Sequence, residues 1–114
     1  MTVKELSDRF GYRIVTDNKD VSKKEVTGVY ACDLLSHAMA KLNSGDVWVT
    51  VHTNLNVVAV ASLAEASCVV IPENIEIEKK TIERAEEKGV IFLSACDSAA
   101  RICYDILSAL REEK

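Results

Sequence analysis

Hydrophobic runs alternate with helix-like repeats between residues 26 and 71, which is the clearest periodic pattern in the chain. Two uncharged runs, residues 47–51 and 67–71, have the length and the valine and isoleucine content of strands buried on both faces. Apolar positions recur at helical spacing in residues 34–42 and 55–66. Alternation of this kind predicts a parallel sheet, and such sheets bind ligands outside the carboxyl ends of their strands.

The flanking segments add further strands and helices to this pattern. Residues 12–16, 25–30 and 90–93 are predicted strands, and residues 3–10, 78–88 and about 98–111 are predicted helices. The predicted helix starts are Thr2 for the first helix, Asp33 for the second, Thr53 or Asn54 for the third, and Ser94, Asp97 or Ser98 for the last. We therefore predict a three-layer α/β/α fold with a mostly parallel sheet of about five strands, all pointing the same way. One domain is expected to cover residues 1–114.

The helix predicted at residues 55–66 is apolar nearly all round, with an uninterrupted run from Val57 to Ala61. One sheet covers only one side of a helix, so this pattern indicates burial on more than one side. A partner subunit would supply that second cover, which predicts a homodimer. The alternative is that neighbouring helices of the same chain cover the helix completely.

Composition excludes several classes of protein. The formal net charge is −4 and lysine and arginine form no cluster beyond pairs, so nucleic acid is not expected as a partner. No signal peptide opens the chain and no apolar run approaches the length of a membrane span, so we predict a cytoplasmic protein without membrane contact. The four cysteines form no CxxC pair, so no metal site is predicted.

Polar residues at the predicted strand ends are the candidate ligand site. His52, Thr53 and Asn54 follow the central strand, Ser98 opens the last helix, and Asp33 follows the second strand. Free backbone N–H groups at a helix start favour an anion, so these residues predict a phosphate or carboxylate pocket. The alternative is that they only cap helices, since every helix needs caps.

Catalysis has little support in the sequence. The chain has no phosphate-binding GxxxxGK[ST] loop, no dinucleotide-binding GxGxxG, no GxSxG elbow and no HExxH. A thiolate at Cys96 would be stabilised by the start of the last helix, but Asp97 beside it opposes that charge. We therefore predict no enzyme activity and no cofactor.

Two segments resemble the DRTGG domain family. They are residues 26–36, VTGVYACDLLS, and residues 45–50, GDVWVT, and the order of the later elements agrees with the family as well. The resemblance covers about residues 3–110 and implies an α/β module similar to the amino-terminal domain of HPr kinase/phosphorylase, which carries no kinase site. Family members occur beside CBS domains in regulatory pyrophosphatases and in front of phosphotransacetylases, as regulatory and dimerising parts of unassigned activity. The stand-alone form resembles small clostridial or thermophile proteins associated with iron hydrogenase systems, which implies a protein partner in a regulatory or hydrogenase-related system.

The chain departs from that family at two turns. His52-Thr53-Asn54 stand where relatives carry an acidic-basic pair, and Pro72-Glu73-Asn74 stand where relatives carry a Thr-Gly-Gly turn. Losing the glycines removes a backbone that can approach a phosphate closely. We therefore expect a non-catalytic regulatory or interaction module that forms a homodimer. The alternative is a small-ligand sensor that binds a nucleotide or other anion at the strand-end turns.

Overall fold

The chain forms a five-stranded sheet with helices on both faces. The structure, a computed structural model, describes residues 1–113. In chain order the elements are α1 (Val3–Phe10), β1 (Arg13–Ile14), β2 (Gly28–Ala31), α2 (Leu35–Lys41), β3 (Asp46–Val49), α3 (Leu55–Ala64), β4 (Cys68–Ile71), α4 (Lys79–Lys88), β5 (Phe92–Ser94) and α5 (Ala99–Glu112). The predicted three-layer α/β/α fold is confirmed.

The strand order across the sheet is β1-β5-β4-β3-β2. Strands β2 to β5 are parallel neighbours. In their registers, Val29 lies opposite Val47, Trp48 opposite Val69, and Val70 opposite Leu93. Because β3 and β4 lie in the middle and are covered on both faces, every one of their residues is buried. This burial explains why both strands read as uninterrupted apolar runs.

The first strand corrects one prediction, since β1 runs antiparallel to β5. The backbone N–H of Val15 donates to the carbonyl of Phe92 at 2.9 Å, and the N–H of Phe92 donates to the hydroxyl of Thr16 at 3.1 Å. A strand that follows a helix and a turn can pair with the edge strand of a sheet in either the parallel or the antiparallel direction. Local sequence pattern carries no information on that direction.

Each face of the sheet has its own core. On one face α1 and α5 cover Val47, Val49 and Leu93. On the other face α2, α3 and α4 cover Trp48 and Phe92. The indole N–H of Trp48 donates to the carbonyl of Cys32 at 3.0 Å, so its one polar atom is satisfied.

Two helix boundaries follow directly from local chemistry. Thr2 and Glu5 form a capping box at the start of α1, and Gly11 ends this helix in the left-handed conformation. The predictions for Thr2 and Gly11 are confirmed.

The backbone of β2 lies close to a side chain of β3 at Gly28. A β-carbon at this position would lie 2.6 Å from a carboxylate oxygen of Asp46, which is the register partner of Gly28.

Candidate functional site

The carboxyl ends of β2, β3, β4 and β5 lie along one edge of the sheet, and the turns that follow them form what we call the carboxyl rim. It comprises residues 32–34, 50–54, 72–74 and 95–98. The turn at residues 52–54 follows β3 and the turn at 95–98 follows β5, with the end of β4 between them. The prediction that these two turns share an edge is confirmed.

Asp33 joins two turns of the rim and caps no helix. Its Oδ1 accepts hydrogen bonds from the hydroxyl of Thr50 at 2.9 Å and from the backbone N–H of Val51 at 3.0 Å. Residue Leu34 occupies the N-cap of α2 and makes no side-chain capping bond. The prediction that Asp33 is an N-cap is therefore wrong, because a carboxylate next to the neighbouring strand end finds two donors there.

The turn after β3 is organised by its own hydrogen bonds. Asn54 caps α3, since its side-chain oxygen accepts from the N–H of Asn56 at 3.0 Å. The carbonyl of Thr53 accepts a 2.6 Å bond from the hydroxyl of Thr81, a fully buried residue of α4. The backbone N–H of His52 donates to the Thr50 hydroxyl at 3.3 Å, and within residues 1–113 no hydrogen bond involves its imidazole. Within residues 1–113 the side chains of His52 and Thr53 make no hydrogen bond, so both remain unused by the turn.

Ser98 is the N-cap of α5. Its hydroxyl accepts from the backbone N–H of Arg101 at 3.2 Å, so of the three residues predicted for this cap, Ser94, Asp97 and Ser98, the last one occupies it. Ser94 lies inside β5, where it pairs with Ile71 and Arg13. Ser94 is not the cap because β5 extends one residue further than its apolar run.

The turn after β4 has two consecutive residues in the left-handed region, Glu73 at φ 57° and Asn74 at φ 54°. Their N–H groups donate to the carbonyls of Asp97 and Ala95, both at 2.9 Å. These positions match the two glycines of the Thr-Gly-Gly turn in the family that the sequence resembles, and glycine is the residue that adopts this conformation freely. This turn thus adopts the left-handed conformation without glycine, and its amides already have partners.

Charge on the rim does not favour an anion. The carboxylates of Asp33, Glu73 and Asp97 lie in three of the four turns of the rim, and the one basic side chain predicted among the site residues is the imidazole of His52. Helix starts attract anions through unpaired N–H groups and the helix dipole, and three nearby carboxylates oppose both effects. Within residues 1–113 no three His, Cys, Asp or Glu side chains lie together as metal ligands.

The four cysteines differ in burial. Cys68 is fully buried in β4, and this burial raises the pKa of its thiol to about 12, so it stays protonated at neutral pH. Burial also raises the pKa of the Cys103 thiol. Cys96 is exposed on the rim, and Cys32 is half-buried with its thiol 3.5 Å from the carbonyl of Leu34.

A second surface lies on the outer side of α2, α3 and α4, which we call the α2–α3–α4 layer. Most of the large hydrophobic side chains exposed in residues 1–113 lie on this side or at the turns that lead into it, namely Leu34, Met39, Val51, Leu55 and Leu63. Leu63 is the extreme case, with 75% of its surface exposed. The other exposed large hydrophobic residues, Tyr104 and Leu107, lie on α5 in the opposite layer. Helix α3, which the sequence predicts to be buried on more than one side, therefore leaves one apolar side exposed to solvent.

Between α3 and α4 this layer contains a groove of about 230 Å³. Leu55, Ala59 and Leu63 of α3 form its apolar side. Arg84 and Lys88 of α4 form its basic wall, and the Nε of Arg84 lies 3.7 Å from a carboxylate oxygen of Glu87 in the same helix. The apolar residues of the layer thus lie beside charged ones.

No helix in residues 1–113 combines the length and apolar character that a bilayer-spanning segment needs.

Comparison with solved structures gives a fold relationship. No family model matches the chain, and no curated protein sequence matches it. Among solved structures, the chain is similar to the CBS and DRTGG domains of the regulatory region of Clostridium perfringens pyrophosphatase, complexed with the activator diadenosine tetraphosphate. The TM-score is 0.70 at 12% identity, over 90% of this chain and 45% of that chain. This supports a DRTGG-like fold, and the chain spans less than half the length of that structure.

Proposed function

We propose that this chain is a non-catalytic regulatory module that acts by association, and that it forms a homodimer through the α2–α3–α4 layer. Its role is to bring together the proteins or domains that its own two copies contact. The proposal includes a partner protein in a regulatory or hydrogenase-related system, because the sequence resembles small proteins associated with such systems.

The observation that carries the proposal is the exposed apolar side of α3. Leu55, Ala59 and Leu63 are exposed on α3, whereas the three valines of this helix and Ala61 are buried. Single exposed hydrophobic residues are ordinary, but several on adjoining elements mark an interaction surface. The opposite layer contributes two such residues, Tyr104 and Leu107.

The fold relationship supports the regulatory part of the proposal. The similar structure belongs to the regulatory region of a pyrophosphatase, and this chain has the fold of part of it. On the rim, Asp33, Asn54 and Ser98 accept hydrogen bonds from backbone N–H groups, so these three side chains serve the fold. A role in association requires none of these groups.

The test is the oligomeric state of the purified protein, measured by size-exclusion chromatography with light scattering. We expect a dimer at micromolar concentration, and we expect Leu63→Lys to raise its Kd by about tenfold or more, because the lysine places a charge in an apolar contact. Leu107→Lys is the matched control, since Leu107 is 55% exposed on the opposite layer and its replacement leaves the dimer unchanged. A wild-type protein that is strictly monomeric contradicts the proposal.

The alternative function is a small-ligand sensor, which the nucleotide activator in the similar structure favours. His52, Thr53, Asn54 and Ser98 would contact the ligand, with Asp33 nearby. A ligand that binds the native state raises the melting temperature, so a thermal-shift measurement with diadenosine tetraphosphate and with adenine nucleotides decides the matter. A rise that His52→Ala abolishes supports the sensor, and no rise at saturating nucleotide eliminates it.

A further inference from the structure

We propose that the second copy packs on the α2–α3–α4 layer about a two-fold axis beside Ala59, with each α3 antiparallel to its counterpart and ion pairs between the two α4 helices. This inference rests on the proposed function, because it specifies the contact through which the dimer forms. It commits to a second copy of this chain as the occupant of the groove between α3 and α4.

The exposed side of α3 is self-complementary. Leu55, Ala59 and Leu63 recur every four residues and line the groove, so they follow one ridge of the helix. A two-fold axis through Ala59 places Leu55 opposite the partner's Leu63 and Ala59 opposite the partner's Ala59. The small alanine lets the two helices approach closely at the crossing, and a leucine pair fills the space on either side. An isologous contact requires this kind of symmetry in the sequence.

The charges of α4 are self-complementary in the same orientation. Glu83, Arg84, Glu87 and Lys88 are all exposed, and they alternate in sign along the helix. Reversing the helix about the midpoint between residues 85 and 86 places Arg84 opposite the partner's Glu87 and Lys88 opposite the partner's Glu83. Charge complementarity of this kind fixes register and excludes other partners. It is the reason for choosing a second copy over an unrelated apolar segment.

The two symmetry centres lie at nearly the same height. The hydroxyl of Thr81 donates to the carbonyl of Thr53, which brings residue 81 of α4 level with residue 53 of the chain leading into α3. Both helices run in the same direction from the rim. The groove is lined by residues 55 to 63 of α3 and by residues 84 to 88 of α4, so the midpoints of these two stretches, Ala59 and Glu86, lie at similar heights. One axis can therefore serve both helices, as a single dimer interface demands.

The groove fits this occupant chemically. An apolar side next to a basic wall accepts a leucine beside a carboxylate, and the partner's α3 and α4 present both. Within residues 1–113, Lys88 makes no ion pair, and Arg84 makes only the long contact with Glu87. Both cations are therefore available to the partner's glutamates.

The test uses two charge reversals at exposed positions. Arg84→Glu leaves only carboxylates at positions 84 and 87, and Glu87→Arg leaves only guanidinium groups there. Each variant alone is expected to repel its own copy and to raise the dimer Kd by at least about tenfold. An equal mixture of the two is expected to form a heterodimer, because each glutamate then meets an arginine. Light scattering and sedimentation measure the association, and a thermal melt verifies that each variant is folded.

The outcomes separate this inference from the proposed function. A dimer that persists in both single variants overturns the two-fold register but leaves dimerisation standing. Variants that are folded, monomeric and unable to associate when mixed also overturn the register, since the loss was then not one of charge pairing. A monomeric wild-type protein overturns the proposed function itself.

Discussion

The carboxyl rim and the α2–α3–α4 layer differ in what their side chains leave unused. On the rim, Asp33, Asn54 and Ser98 accept hydrogen bonds from nearby backbone N–H groups, and the amides of Glu73 and Asn74 also have partners. In the layer, Leu55 and Leu63 expose 40% and 75% of their surface. A binding surface needs groups whose interactions are incomplete in the isolated protein. By that criterion we propose the layer, rather than the rim, as the interaction surface.

The largest stability effect is expected where the rim and the layer meet. Thr81→Val removes the hydroxyl that donates to the carbonyl of Thr53, and it leaves a partly buried acceptor without its partner at nearly unchanged side-chain volume. We expect a loss of about 1–3 kcal/mol in the free energy of unfolding, measured by urea denaturation. Thr53→Val is the matched control, because only the backbone carbonyl of Thr53 takes part. An equal loss in both variants would show that the bond is not the cause.

A smaller effect is expected from Asp33. Asp33→Ala removes the acceptor for the Thr50 hydroxyl and the Val51 N–H, both of which water can reach in part. We expect a loss of about 1 kcal/mol in the free energy of unfolding, and Asp33→Asn is expected to retain part of it because the amide oxygen still accepts. If Asp33→Ala left stability unchanged and removed ligand binding instead, the carboxyl rim would be a binding site. The rim would then be an interaction surface, which contradicts the contrast drawn here with the α2–α3–α4 layer.

The smallest effect is a gain in stability. Glu73 holds a left-handed conformation that costs a residue with a β-carbon roughly 1–2 kcal/mol. Glu73→Gly relieves this cost but adds freedom to the unfolded chain, so we expect a net gain of about 0.5 kcal/mol in thermal or urea unfolding. Glu76→Gly in the following segment is the control, since no positive φ occurs there, and it is expected to give no gain. A loss of stability in Glu73→Gly would mean that the glutamate side chain itself stabilises the turn.

Local patterns predicted most of the fold. The helix at residues 3–10, with Thr2 as its cap and Gly11 at its end, agrees with the structure at both ends. The buried strands β3 and β4 were recognisable because burial on both faces excludes charge along the strand. Capping and burial are properties of consecutive residues, so the sequence carries them directly.

The candidate site was predicted less well. The positions of His52, Thr53, Asn54 and Ser98 on one edge follow from a parallel sheet, and the structure places them there. Their partners do not follow, since Asp33 bonds to Thr50 and Val51 from a different strand, 17 and 18 residues away. Whether any of the five residues binds a ligand stays a prediction. The left-handed turn at Glu73 and Asn74 had one local signal, the asparagine, which tolerates this conformation better than most residues.

The sequence by itself determined which segments are helices and strands, because periodicity, caps and charge-free runs are local. Only the tertiary structure decided the antiparallel direction of β1, the partners of Asp33 and the side of α3 that stays open. Each of these depends on which distant segments become neighbours, and the free energy that selects those neighbours is a property of the packed molecule as a whole. The apolar run of α3 indicated that something must cover it, and the packing of α2 and α4 left Leu55, Ala59 and Leu63 on the side where a second copy is expected.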